Sequence, residues 1–378
     1  MKLMQRVKKS ILWRVLRKIR YLPNKWWLKK YEKKFDGKPF TTDIKKEIQE
    51  LIKKRRNIYF RDEKTSKNIA ENWKGEINKP QNLRYIENAV PVVLSSNEKF
   101  VSYTAVMLQS LLDNSNPQRK YHFILFERDF SEKTKYYLVN QISEFQHCSI
   151  DFINVTSAFN EIPIASPSYH FSIDTYSRLF VPYWLDCYQK VIYCDSDMIA
   201  KADIAELYDL DIQDRCIGVV VSKAGNYLFK RQNYSSILTS TPSYMFLDDW
   251  SCYFNAGLLI FNTEKFKEKL SYQDLFKFSI YFSNCYKNHY NDQDVLNLLL
   301  NKDDYFALPP EWNYEWHIPS ENGQSYQASA PNTKIIHFTG NIKPWKDAPE
   351  IVNNSDALSY RNYAIKVPLY NIYINKID

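Results

Sequence analysis

The sequence lacks most of what marks the special classes of protein. Its 378 residues hold only 7 glycines and show no fixed-period repeat, which excludes collagen-like and glycine-rich chains. The six cysteines (Cys148, Cys187, Cys194, Cys216, Cys252 and Cys285) form neither a CxxC pair nor a zinc-finger spacing, and Cys187 and Cys194 stand in apolar stretches, so reduced, buried thiols are expected. No run of about 18 apolar residues is present, and the first residues lack the apolar region of a signal peptide, so a cytoplasmic location is expected. Hydrophobic residues at 44% and aromatics at 16% then exclude a disordered chain, and the length suffices to bury a sizeable core.

Charge is unevenly spread. Residues 1–35 hold thirteen lysines and arginines against the single acid Glu32, a local charge of +12, so the total of +8 leaves the other 343 residues at −4. A mildly acidic body lacks the footprint of a nucleic-acid binder, and no nucleic-acid partner is expected. Within the basic segment Met4, Val7, Ile11, Val15 and Ile19 recur at helical spacing, with Trp26 and Trp27 after Pro23. This pattern suits an amphipathic helix lying on an anionic bilayer, where lipid head groups hold cations at about 1 kcal/mol each. A helix docked on the protein or a free basic arm would give the same pattern. Residues 36–85 stay polar, with weak helical periodicity, and read as a linker or helical extension.

A domain begins at the apolar run Ala89-Val90-Pro91-Val92-Val93-Leu94, a buried strand by composition. Helical periodicity follows over Tyr103–Leu112, a strand over Tyr121–Phe126, a helix over Glu132–Ile142 and a strand over Ser149–Val155. The alternation predicts an α/β fold with one mostly parallel mixed sheet covered by helices, its ligand crevice at the carboxyl ends of the strands. The expected divisions are 1–35, 36–85, a catalytic domain over 86–348, and a tyrosine-rich tail over 349–378 whose Tyr360, Tyr363, Tyr370 and Tyr373 are available to face an acceptor or membrane.

Four motifs carry candidate chemistry. The apolar strand Lys190-Val191-Ile192-Tyr193-Cys194 runs into Asp195-Ser196-Asp197, two carboxylates whose closeness suits a hard cation such as Mg²⁺ or Mn²⁺ bridging to a diphosphate. Turn chemistry also produces such pairs. Next, Asn255-Ala256-Gly257 reads as a small turn before a second apolar strand, open to close approach at Gly257, with a plain bulge as the alternative. Asn291-Asp292-Gln293-Asp294 opens a helix whose Val295, Leu296, Leu298, Leu299 and Leu300 face inward, although acids in a first turn commonly serve only the helix dipole. Last, His337-Phe338-Thr339-Gly340-Asn341-Ile342-Lys343-Pro344-Trp345 follows a short strand, His337 being a metal ligand or a structural imidazole and Lys343 a point charge for phosphate.

In this order the four motifs resemble the signature of glycosyltransferase family 8, over about Pro91 to Trp345, and Ser172-Ile173-Asp174-Thr175-Tyr176-Ser177-Arg178-Leu179 is similar to the segment before the family's metal strand. Among its members it is similar to the bacterial lipopolysaccharide galactosyl- and glucosyltransferases. The resemblance implies a GT-A fold and transfer of a hexose from a UDP-sugar, with retention of anomeric configuration, to a saccharide or lipid-linked acceptor in surface-glycan assembly, and the basic N-terminal segment is expected to hold the enzyme peripherally on the inner face of the membrane. It implies that Asp195, Asp197 and His337 ligate Mn²⁺ or Mg²⁺ and that Gly340 and Lys343 embrace the phosphates. Asn255, Ala256 and Gly257, with Asp292 and Gln293, then line the donor sugar, Arg178 reaches the sugar or diphosphate, and Gln293 lies nearest the anomeric carbon.

The sequence departs from that pattern twice. Asn97-Glu98-Lys99-Phe100 stands where Asp-Asp-Asn-Tyr commonly contacts the nucleoside, leaving Asn97 to hydrogen-bond the uracil and Phe100 to stack on it; Ser222 stands where a sugar-binding Asp is common. The contrasting expectation is a catalytically silent GT-A domain that binds sugar nucleotides or acts as a scaffold, against which the complete Asp195, Asp197 and His337 set speaks.

Overall fold

The computed structural model describes residues 63–75, 79–80, 83–165, 172–223, 250–285, 290–317, 326–346, 348–349 and 351–374. The basic segment 1–35 and most of the expected linker lie outside the described residues. The described end of that linker is part of the domain: the helix Glu63–Asn72 brings Ala70 and Trp73, 6% and 7% exposed, into the core, and Trp73 Nε1 donates to Glu161 O at 3.0 Å.

Among the described residues ten strands follow: β1 (Ala89–Asn97), β2 (Lys120–Arg128), β3 (Cys148–Asn154), β4 (Lys190–Cys194), β5 (Met198–Ala200), β6 (Ile217–Val221), β7 (Phe254–Asn262), β8 (Tyr305–Ala307), β9 (Tyr314–Glu315) and β10 (Ile335–His337). Seven make one sheet in the order β3-β2-β1-β4-β7-β6-β8, in which β7 runs antiparallel to both of its neighbours. Strands β1, β2 and β4 are mostly buried, so they read as apolar runs, whereas β3 at the edge of the sheet is half-buried and alternates. Alternate residues still face opposite layers. Val92, Leu94 and Ile192 pack with the helix Val101–Asp113, while Val93, Val191 and Tyr193 pack with the helices Tyr272–Cys285 and Asn291–Leu299.

Beside the expected sheet the chain builds a second one, β5-β10-β9. At two and three residues these strands are too short for a periodic signal. Three further expectations are corrected. Asn255-Ala256-Gly257 lies inside β7, where the pairing with β6 jumps from Val219↔Leu259 to Val220↔Asn255; the bulge reading is the right one. The tyrosine-rich segment forms the helices Ser355–Ala364 and Pro368–Ile374 against the helix Val101–Asp113, with Tyr360 fully buried and Tyr363 and Tyr370 half-buried, because Ala357, Tyr360, Ala364, Val367 and Leu369 share one apolar side. The side chain of Tyr373 lies outside the described residues. Finally, Cys187 is exposed in the turn before β4, although Cys194, Cys216 and Cys285 are buried.

Candidate active site

The paired aspartates sit where the chain leaves the large sheet for the small one: β4 ends at Cys194 and β5 begins at Met198. Asp195 and Asp197 turn to one side, whereas Ser196 turns to β1, donating to Ser95 O at 2.9 Å and accepting from Thr104 Oγ1 at 2.8 Å. Antiparallel pairing sets His337 opposite Met198, and Phe338 N donates to Asp197 O at 2.9 Å. The register therefore carries the imidazole to the carboxylates, with His337 Nε2 at 3.3 Å from Asp197 Oδ1 and 4.0 Å from Asp195 Oδ2. One ligand atom from each of the three residues falls within 4.8 Å of the others.

The bulge in β7 supplies the floor. Gly257 O accepts from Asp195 N at 2.8 Å, and a Cβ on Gly257 would lie 2.3 Å from His337 Cε1. Asn255, Ala256 and Gly257 are all buried, so they shape the site from beneath. Gly340 has φ +86°, a conformation that glycine adopts without strain, and a Cβ there would meet His317 at 2.8 Å. The turn it permits returns Lys343, whose Nζ lies 2.7 Å from Asp197 Oδ2.

Arg178, on the 3₁₀ helix Ile173–Phe180, is 3% exposed. Its Nη2 donates to Asp195 Oδ1 at 2.8 Å, its Nε lies 2.8 Å from Asp292 Oδ2, Nη1 donates to Ala256 O, and its guanidinium lies over the Tyr193 ring at 4.7 Å. So many protein partners make Arg178 a group that orients both carboxylates from below. Asp292, 2% exposed, is likewise covered, and Gln293 is the partly exposed residue of that pair. The Gln293 amide is held at both ends: Oε1 accepts from Ala256 N at 3.0 Å, and Nε2 donates to Tyr253 Oη at 2.8 Å.

The charges are unequal in consequence. Burial would raise Asp197, but Lys343 and His337 hold it well below the usual carboxylate range. Asp195 is raised by burial, with Arg178 opposing and Asp197 adding to the rise. Burial also raises Asp292, to about 6, despite the Arg178 charge.

At the carboxyl end of β1 the Asn97 amide is engaged within the protein. Its Oδ1 accepts from Lys99 N at 3.0 Å and Phe100 N at 3.2 Å, and its Nδ2 donates to Asp174. Glu98 accepts from Ser131 N at 3.1 Å and Thr134 Oγ1 at 2.7 Å, tying this loop to the next helix. Phe100 is 43% exposed at the rim, open to a stacking partner. Ser222 donates to Glu315 Oε1 at 2.9 Å, so a carboxylate from β9 stands behind it.

Sequence reasoning misses four residues of this assembly. Asp174 holds Asn97 and a bidentate Arg128 (2.6 and 3.0 Å), while Asn313 and Glu315 flank His337 from β9 and the turn before it. Asp174 lies inside a motif read for Arg178 alone. The Asn313-x-Glu315 alternation is a signal that could have been read, polar positions two apart lying on one side of a strand.

A cation is tested here by the donor set and by the space. Two carboxylates and an imidazole form an oxygen-rich group suited to Mn²⁺ or Mg²⁺, and the missing Cβ at Gly257 leaves room for the imidazole to join them, so the residues fit such an ion.

The family model for glycosyl transferase family 8 matches residues 91–348. The chain belongs to this glycosyltransferase family. General stress protein A of Bacillus subtilis is 24% identical over 299 residues, covering 75% of this chain and 97% of that protein. A lipopolysaccharide 1,2-glucosyltransferase of Escherichia coli is 27% identical over 292 residues, 74% of this chain and 79% of its own. The solved structure of a bifunctional glycosyltransferase, WbbM, has the same fold, with a TM-score of 0.64 at 23% identity over 80% of this chain and 54% of that one. Among the described residues no helix is long and apolar enough to cross a membrane.

Proposed function

We propose that this glycosyltransferase is a metal-dependent, retaining hexosyltransferase that moves galactose or glucose from a UDP-sugar to a saccharide or lipid-linked acceptor. The observation that carries the reading is the convergence of Asp195, Asp197 and His337 within 4.8 Å, with Lys343 2.7 Å from Asp197. Asp195, Asp197 and His337 would hold Mn²⁺, or Mg²⁺, which supplies positive charge to the donor diphosphate as a Lewis acid. Lys343 adds a second cation for the departing phosphate, and Gly340 gives the turn that delivers it. Arg178 keeps Asp195 and Asp292 oriented. Gln293 presents a fixed amide beside the sugar.

An amide is a poor nucleophile, which argues against a covalent glycosyl-enzyme at Gln293. Transfer instead proceeds on one face of the sugar. The acceptor hydroxyl forms its bond to the anomeric carbon on the side where the bond to the diphosphate oxygen breaks, and its proton passes to that oxygen. The lipopolysaccharide glucosyltransferase relative supports a hexose and a surface-glycan acceptor. The basic residues 1–35 support attachment to an anionic membrane on its cytoplasmic face, and a protein lacking them should lose binding to anionic vesicles; unchanged binding would remove that part of the reading.

The primary test is UDP release from a panel of UDP-sugars with Mn²⁺ and with EDTA, beside Asp195→Asn and Asp197→Asn proteins. Manganese-dependent turnover of a single donor, lost in both variants, is expected. Absence of binding or cleavage of any donor with any metal would replace this reading with a silent scaffold.

A further inference from the structure

A chain of hydrogen bonds with only one consistent assignment runs from the β7 bulge to His337. It begins at Gly257 N, which can only donate and lies 2.8 Å from the Asn255 side chain, so the atom facing it is Asn255 Oδ1. That oxygen lies 3.0 Å from the Asn313 amide, which must therefore present Nδ2 to it. The other end of Asn313, Oδ1, is then the atom 3.1 Å from His337 Nδ1, and an amide oxygen there requires a hydrogen on Nδ1. The remaining nitrogen, Nε2, faces Asp195 and Asp197, and whenever the ring is neutral it presents its lone pair to them. Asn255, Asn313 and His337 are 9%, 3% and 5% exposed, so water offers little competition along the chain.

We infer that Asn313 is a positioning residue that fixes the Nδ1–H tautomer of His337 through the Gly257–Asn255–Asn313 relay, and so commits Nε2 to a cation. This rests on the proposed metal-holding role of the Asp195, Asp197 and His337 set. A positive ion between the lone pair and the two carboxylates relieves their repulsion, and ligating histidines characteristically donate their other ring N–H to an outer acceptor, whose loss costs about 10- to 100-fold in metal affinity. The relay also gives Asn255 a task apart from touching a sugar. It transmits the orientation of the bulge to the imidazole.

The test compares wild type, Asn313→Ala and Asn313→Asp in two measurements made without nucleotide: manganese affinity by calorimetry, and the tautomer of His337 from imidazole ¹⁵N shifts in the metal-free, histidine-labelled protein at a pH where the ring is neutral, the signal being identified by its loss in His337→Gln. Asn313→Ala should bind manganese about 10- to 100-fold more weakly and show mixed tautomers. Asn313→Asp retains an acceptor for Nδ1–H and should keep the wild-type tautomer, a rescue that a merely space-filling Asn313 would not predict. A folded Asn313→Ala protein with wild-type affinity, or with the Nδ1–H tautomer intact, overturns the assignment. Should the alanine variant fail to fold, an Nε2–H tautomer in Asn313→Asp overturns it equally. A wild-type protein that binds no divalent cation would instead bring down the metal reading itself, and the role of Asn313 with it.

Discussion

Gly257 and His337 are packed so closely that a single methyl group on the glycine would lie 2.3 Å from the imidazole Cε1. Gly257→Ala should therefore displace His337 from the aspartates. The expected result is a loss of about 1–3 kcal/mol of stability from overpacking and at least about 100-fold in UDP release, the cost of misplacing a group by a fraction of an ångström. Thermal unfolding and a donor hydrolysis assay check both halves, and full activity in the variant would contradict the placement of the imidazole.

Lys343 should separate phosphate recognition from cation binding. Replacing it by Ala removes a charged hydrogen bond worth roughly 1.5–3 kcal/mol to the diphosphate, so UDP affinity should fall by about 10- to 150-fold. Without its Nζ 2.7 Å from Asp197 Oδ2, the carboxylate loses one of the two charges that hold it low. Manganese binding in the absence of nucleotide should then be no weaker than in wild type, as calorimetry would show.

Asp292 should act against stability when ionised. Its folded pKa is raised to about 6, above a free carboxylate near 4, so the cost of the buried charge is fully present above pH 6 and is relieved as the carboxyl protonates on acidification. The melting temperature of metal-free Asp292→Asn relative to wild type should be higher at pH 7.5 than at pH 5, with a free-energy change of at most about 2–3 kcal/mol across that interval. A constant difference would mean that Arg178 alone sets the state of this group.

Asp174 should behave with the opposite sign. Burial would raise it, but hydrogen bonds from Arg128, Ser172 and Asn97 hold it below its ordinary value, so it stabilises the protein above about pH 4 and loses that effect as the pH falls through its folded pKa. Asp174→Asn should cost roughly 1–3 kcal/mol at neutral pH and progressively less in acid. Because Asn97 is one of its donors, the variant should also loosen the 97–100 loop, seen as faster amide exchange there.

What the sequence made legible follows from how local each signal is. Strands β1, β2 and β4 are apolar runs, β3 alternates apolar and polar residues, and the helix at Val101–Asp113 carries its own periodicity, so their places could be read from short windows. The proposed cation ligands were visible because each lies at or beside a strand end. Arg178 and Asp292 were visible as residues, but their mutual contact was not, since the pairing of a 3₁₀ helix with a distant helix start leaves no mark in either segment. Asn97 shows the same limit. Its residue type allows contact with a nucleobase, and only the tertiary placement of Asp174 reveals that the amide is already engaged.

The junction between β4 and β5 has a consequence for the life of the chain before it is complete. The pairing of β5 with β10 closes a loop from Met198 to His337, among the longer closures in the domain and therefore among the slower to form. A nascent polypeptide that has passed Asp197 but not reached His337 holds two close acidic groups with no imidazole beside them. If the triad holds a divalent ion as proposed, its capture by all three residues would follow assembly of the small sheet.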